Sequence, residues 1–239
     1  MTRASRFRAL LDTGFMDRLT AREKRVLERR ADLAGAGEKA APVDPRGWWY
    51  AVPANAYEGV FEVLGLHDRF PCTLAEGAGV EDMRHRPGAM PVFITPELDG
   101  WRLVFGNLDS VVGVDWDDWM GTVERLSSRC GQAQMFFMDD AGGSDVWVVA
   151  EQGTIRRRYA AESDPEWIGA PLAWEEPGTE GEDFDGDGLD AEGTAGAAEA
   201  CGALSVDPAE IGATTEVRAH GWLALSAPGI GHEELGVLV

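Results

Sequence analysis

QMFFMDDAGGSDVWVVAEQGTIRRRY, residues 134–159, contains three apolar runs separated by turn chemistry. Gln134–Met138, Val146–Ala150 and Thr154–Tyr159 are rich in aromatic and β-branched side chains, which favour extended backbone. Only Glu151, Gln152 and Gly153 separate the second run from the third, and so short a connection makes its strands antiparallel neighbours. The first connection, Asp139–Asp145, is longer and Gly-rich and reads as a flexible hairpin loop. The stretch predicts a three-stranded meander. Just before it, Trp116, Trp119, Met120, Val123 and Leu126 share one face of a helix over Asp115–Arg129, which Gly131 ends. That apolar stripe needs a sheet to lie on. The expected fold is α+β: an antiparallel sheet, built from this helix and meander, with helices on one face.

Upstream, Trp48–Val52 reads as an aromatic strand, followed by a helix over Ala54–Leu66 with Tyr57, Val60, Phe61 and Leu64 at helical spacing. Residues 71–90 fit no single pattern. Val92–Thr95 and Trp101–Phe105 read as strands joined through Pro96–Gly100. Downstream, Asp207 and Pro208 open a helical turn, and Val217–Ser226 is the last expected strand.

GWRLVFG (residues 100–106), ERLSSRCGQAQMFF (124–137), VWVVAEQGTIRRRY (146–159) and the closing SVDPAEIG and GWLALS (205–212 and 221–226) resemble a module of an α+β protein family of high-GC bacteria without established activity. The resemblance covers about half the chain and rests on structural positions. It implies an α+β fold and no particular chemistry.

Charge divides the chain. Residues 1–30 carry nine basic and four acidic side chains, whereas residues 159–217 carry sixteen acids and no Lys or Arg. Within the basic section Phe7, Leu11, Phe15 and Leu19, with Leu10 beside them, mark a helical stripe that Gly14 interrupts. Thr20 and Glu23 then match the capping box, predicting a second helix to about Leu33 that ends in Gly35–Gly37. This arm is expected to dock on the acidic body with its arginines paired or solvated; the competing reading is a basic clamp on a partner. At the other extreme, WEEPGTEGEDFDGDGLDAEGTAGAAEACG from Trp174 is too acidic and too poor in large apolar groups to offset the entropy of ordering. The expected organisation is therefore a basic helical segment over 1–38, an α+β body over 45–174, a flexible, disordered acidic insertion over 175–202, and a C-terminal turn and strand over 203–239 that complete the body.

With 239 residues and a formal charge of −21, the chain argues against nucleic acid or an anionic membrane surface as a partner. No run has the roughly 18 apolar residues of a membrane span, and the N-terminus lacks a secretory apolar stretch. Cys72, Cys130 and Cys201 lie far apart and form no CxxC pair. They read as small buried hydrophobes, reduced in a cytoplasmic protein.

Motifs for chemistry are incomplete. Asp183, Asp185, Asp187 and Gly188 begin like a calcium loop, but its twelfth position is Thr194 and Asp190 stands where an apolar residue belongs. Asp115, Asp117 and Asp118 favour the start of a helix by capping and by their interaction with its dipole. Asp139 and Asp140 read as loop residues. His67, His85, His220 and His232 share no metal-ligand spacing. Arg84–Arg86 around His85, and Arg156–Arg158, read as outward-facing basic groups. Ser127, Ser128 and Cys130 lie near a helix end that lends a nucleophile no activation. No nucleophile elbow, phosphate loop or dinucleotide pattern is present. The sequence thus nominates no catalytic residue, metal or cofactor.

Nine tryptophans remain to be placed, several beside carboxylates. Trp116, Asp117, Asp118, Trp119, Trp167 and Trp174 are the candidate binding residues, since aromatic anchors among acids can steer and hold a basic surface. The expectation is a non-catalytic acidic binding protein, immunity- or inhibitor-like, for a basic protein partner. The alternative is an accessory enzyme or small-molecule binder with a carboxylate/arginine pocket.

Overall fold

The computed structural model describes residues 20–35, 38–45, 47–83, 88–138, 145–161, 166–175 and 196–228. The expected Phe7–Leu19 stripe, the Arg84–Arg86 triplet, Asp139, Asp140, the Asp183–Asp187 motif and His232 lie outside the described residues.

Helix α1 (Ala21–Gly35) precedes strand β1 (Gly47–Pro53), which is followed by α2 (Glu58–Val63), β2 (His67–Cys72) and α3 (Leu74–Gly77). Then come β3 (Pro91–Ile94), β4 (Glu97–Leu98), β5 (Trp101–Gly106), α4 (Asp109–Val112) and α5 (Trp116–Cys130). Strands β6 (Gln132–Met138), β7 (Asp145–Glu151), β8 (Thr154–Ala160) and β9 (Glu166–Ile168) follow. Helix α6 (Ala197–Leu204), β10 (Val217–Arg218) and β11 (Gly221–Leu225) close the described chain.

The fold is α+β, with an open, antiparallel sheet in the order β2-β11-β3-β5-β1-β6-β7-β8-β9; β4 pairs with β5 and β10. The meander is β6-β7-β8, and β1 pairs with its free side, Tyr50 opposite Met135. Both tight hairpin turns have the geometry their sequences favour. Gln152 and Gly153 take φ of +50° and +81°, and Asp99 and Gly100 take +47° and +90°, which matches the right-handed strand twist. The last strand does not end the sheet but enters it, β11 lying between β2 and β3. The single strand expected over Val217–Ser226 is two pieces, divided where Ala219 turns to φ +60°.

Period-two alternation gives the sheet two apolar faces. Tyr50, Val52, Val104, Met135 and Val148 face one core, closed by Phe61 of α2 and by Trp119, Val123 and Leu126 of α5. Trp49, Ala51, Phe105, Phe136 and Trp147 face the other, closed by Leu74 of α3, Val80, Ile211, and Ala197 and Cys201 of α6. Helices were expected on one face; α2 and α5 lie there, and the opposite face is closed by α3 and α6 as well. The reason is the strand composition: Trp49, Phe93, Phe136 and Trp147 alternate with the first set and need their own cover.

Two local expectations are corrected. Arg156–Arg158 do not all face outward, because a bulge between Val149 and Ala150 shifts the register and leaves Arg157 fully buried and Arg158 nearly so. Of the insertion expected over 175–202, residues 176–195 lie outside the described residues; at its described flanks Glu175 is buried, and residues 197–204 form α6 rather than flexible chain, its Ala197 amide donating to the Asp145 carboxylate at 2.9 Å. Among the described residues no helix is long and apolar enough to cross a membrane.

Candidate functional site

One end of the central strands opens into a cleft of about 380 Å³, lined by Gly47 and Trp48 at the start of β1, Gly106 at the end of β5, Phe137 of β6, and Glu81, Asp82, Asn107, Leu108 and Asp109. The fold requires glycine at its rim. Gly106 takes φ +143°, and a Cβ there would stand 2.7 Å from the Pro91 carbonyl oxygen. The sharp change of direction it allows carries the chain into α4 and sets Asp109 at the cleft.

An aromatic cluster forms the wall. Trp48 stacks on Trp119 with ring centroids 4.4 Å apart and packs on Phe137 at 4.5 Å. Trp116 continues the cluster outward, 6.1 Å from Trp48, and is 36% exposed. Beneath it Tyr50 lies 5.8 Å from Trp119, and its buried hydroxyl has no hydrogen-bond partner among the described residues. Against this wall stand three carboxylates. Burial pushes the Asp109 carboxyl above its ordinary value, so charge at this position gains from an approaching cation. Among the described residues no three His, Cys, Asp or Glu side chains assemble as a metal-binding set. Glu81, Asp82 and Asp109 are spread around a space of side-chain size.

The six residues nominated from the sequence fall into two groups with the sheet between them. Trp116, Asp117 and Asp118 are exposed on the first turn of α5, next to the cleft's aromatic wall. Trp119 is only 1% exposed and belongs to the core under Trp48. Trp167 and Trp174 lie on the opposite face, half-buried around Trp147 at 6.0 and 5.5 Å. Trp167 also packs on Tyr159 at 4.5 Å and holds the Arg157 guanidinium 4.3 Å over its ring. These two tryptophans close the second core. The expected capping role of Asp115 is absent, since its side chain makes no cap hydrogen bond; Asp117 and Asp118 do occupy the first turn.

No family model, curated protein or solved structure matches the chain. The geometry stands alone as the guide to function.

Sequence reading missed Glu81, Asp82, Asn107 and Asp109. Asn107 and Asp109 follow the Phe105–Gly106 end of a strand, a place where loops commonly carry binding groups, and that position was the available signal. Glu81 and Asp82 sit in a short turn whose meeting with β1 is set only by tertiary packing. The three cysteines offer no chemistry to the site: all are buried, and burial pushes the Cys130 thiol to about 11 and that of Cys201 to about 12.

Proposed function

We propose that the chain is a non-catalytic acidic binding protein, immunity- or inhibitor-like, that recognises a basic protein partner. The observation that carries this reading is the cleft, in which Glu81, Asp82 and Asp109 face an aromatic wall of Trp48 and Phe137. Long-range attraction to a chain of net charge −21 brings the partner in, and a basic side chain then enters the cleft, neutralised by carboxylates and held over indole. Trp116 is the exposed anchor beside the entrance. Among the described residues the polar lining consists of Glu81, Asp82, Asn107 and Asp109, groups suited to holding a cation.

The test is calorimetric titration with a decapeptide of alternating arginine and serine. Binding should weaken at least tenfold from about 0.05 to 0.5 M salt, and about tenfold again in Asp109→Asn. Affinity insensitive to both changes overturns the proposal. If free arginine amide binds as tightly as the peptide, a small-molecule site replaces a protein-binding one.

A further inference from the structure

Helix α1 is attached to the body in an unusual way. Its start is well made: the Thr20 amide donates to the Glu23 carboxylate at 2.8 Å, and the Glu23 amide donates to the Thr20 hydroxyl at 3.2 Å. Yet no side chain from Ala21 to Ala34 is buried, and none belongs to either core. Val26, Leu27 and Leu33 are half-buried, and among the described residues charged contacts fasten the helix to the body. Arg22 pairs with Asp68 of β2, Arg29 pairs with Glu76 of α3, and the Arg30 guanidinium lies 5.5 Å over the ring of Trp222 in β11. Arg22 and Arg29 are seven residues apart, two helical turns, so they project from one face.

The receiving surface is preformed. Glu76 is fixed by a capping box, accepting from the Thr73 amide at 2.7 Å while its own amide donates to the Thr73 hydroxyl at 3.1 Å. Burial raises its carboxyl, but the Thr73 amide and Arg29 outweigh that and hold it below the ordinary value. The Asp68 side chain is 9% exposed. By contrast, the occupant lies outside both cores, its part-buried ion pairs to Asp68 and Glu76 link it to the body, and a fifteen-residue helix is marginal on its own.

We propose that the strip formed by Asp68, Glu76 and Trp222 is the docking surface for a basic amphipathic helix of the partner protein, with arginines seven residues apart, and that α1 is the intramolecular occupant this helix displaces. The inference rests on the reading of the chain as a receptor for a basic protein, and it adds the element recognised and a built-in competitor. Tethering gives α1 an effective concentration in the millimolar range, so an incoming helix of equal intrinsic affinity binds more weakly by the factor that α1 occupies the strip.

The experiment uses the full chain and a synthetic peptide of residues 20–35 as the probe. Disarming α1 with Arg22→Ser and Arg29→Ser should tighten peptide binding about tenfold over the wild type. Adding Asp68→Asn and Glu76→Gln to the disarmed chain should abolish binding. Both replacements are mild: Asn tolerates the φ of +52° at Asp68, and Gln keeps the acceptor of the capping box. In the wild type, peptide addition should speed amide exchange over residues 21–34. Equal affinity for wild type and disarmed chain, or binding that survives loss of the two carboxylates, overturns the strip. Should binding instead fall in Asp109→Asn while ignoring Asp68 and Glu76, the strip fails and the cleft stands; if no variant binds any basic peptide, both fail.

Discussion

Arg157 and Glu175 form an ion pair that water does not reach, their side chains 0% and 1% exposed. The Arg157 Nη2 and Nε both donate to Glu175, at 2.6 and 3.1 Å, and Nη1 donates to the Gly169 carbonyl at 2.6 Å. Glu175 in turn accepts from the Leu172 amide at 2.6 Å. This pair fastens the segment after β9 to the sheet, just where the acidic insertion begins.

Removing one partner strands the other charge in a buried place, which costs about 3–5 kcal/mol, whereas an apolar pair of similar volume can be nearly neutral. Arg157→Met and Glu175→Leu should each lower the unfolding free energy from urea titration by an amount in that range. The double variant Arg157→Met with Glu175→Leu should recover most of the loss. Additive losses in the double variant would show that the pair does not act as a unit.

The same residues show where the sequence was readable. The meander, its tight Gln152–Gly153 turn and α5 follow from local pattern, because periodicity and turn chemistry act within a few residues. The α1 capping box was legible for the same reason. Arg157 was not: its place depends on a bulge and on Glu175, eighteen residues away. Helix α6 was hidden because its buried face is Ala197, Ala200 and Cys201, side chains too small to stand out in an Ala- and Gly-rich stretch. Likewise Glu81 and Asp109 meet only through the sheet order, which local pattern does not encode.

His220 gives the fold a pH dependence of calculable sign. Burial lowers its pKa below the ordinary 6.5, and the nearby Arg30 and Arg102 guanidinium groups act in the same direction. A depressed folded value means that the unfolded chain takes up the proton first, so stability is complete above about pH 6.5 and declines as pH falls through that value. Urea midpoints from pH 8 to 5 should therefore drop, and His220→Gln should flatten the decline between pH 6.5 and 5. An unchanged slope in the variant would assign the dependence elsewhere.

Trp116 and Trp119 stand three residues apart on α5 and should behave in opposite ways. Trp119 is 1% exposed and stacked 4.4 Å from Trp48, so Trp119→Ala opens a cavity and should cost about 3–5 kcal/mol in urea unfolding. Trp116 is 36% exposed, and the Arg158 guanidinium lies 5.4 Å over its ring. Trp116→Ala should cost less, about 1–2 kcal/mol, because the ring is part-exposed while the Arg158 it covers is nearly buried. If the cleft receives a basic partner, that variant should also weaken binding of the arginine–serine decapeptide about tenfold, as the loss of an aromatic anchor does. Trp116→Phe, which keeps a ring at the entrance, should restore part of the affinity. Full binding by Trp116→Ala would remove this residue from the interface while leaving the carboxylates of the cleft to be judged by Asp109→Asn.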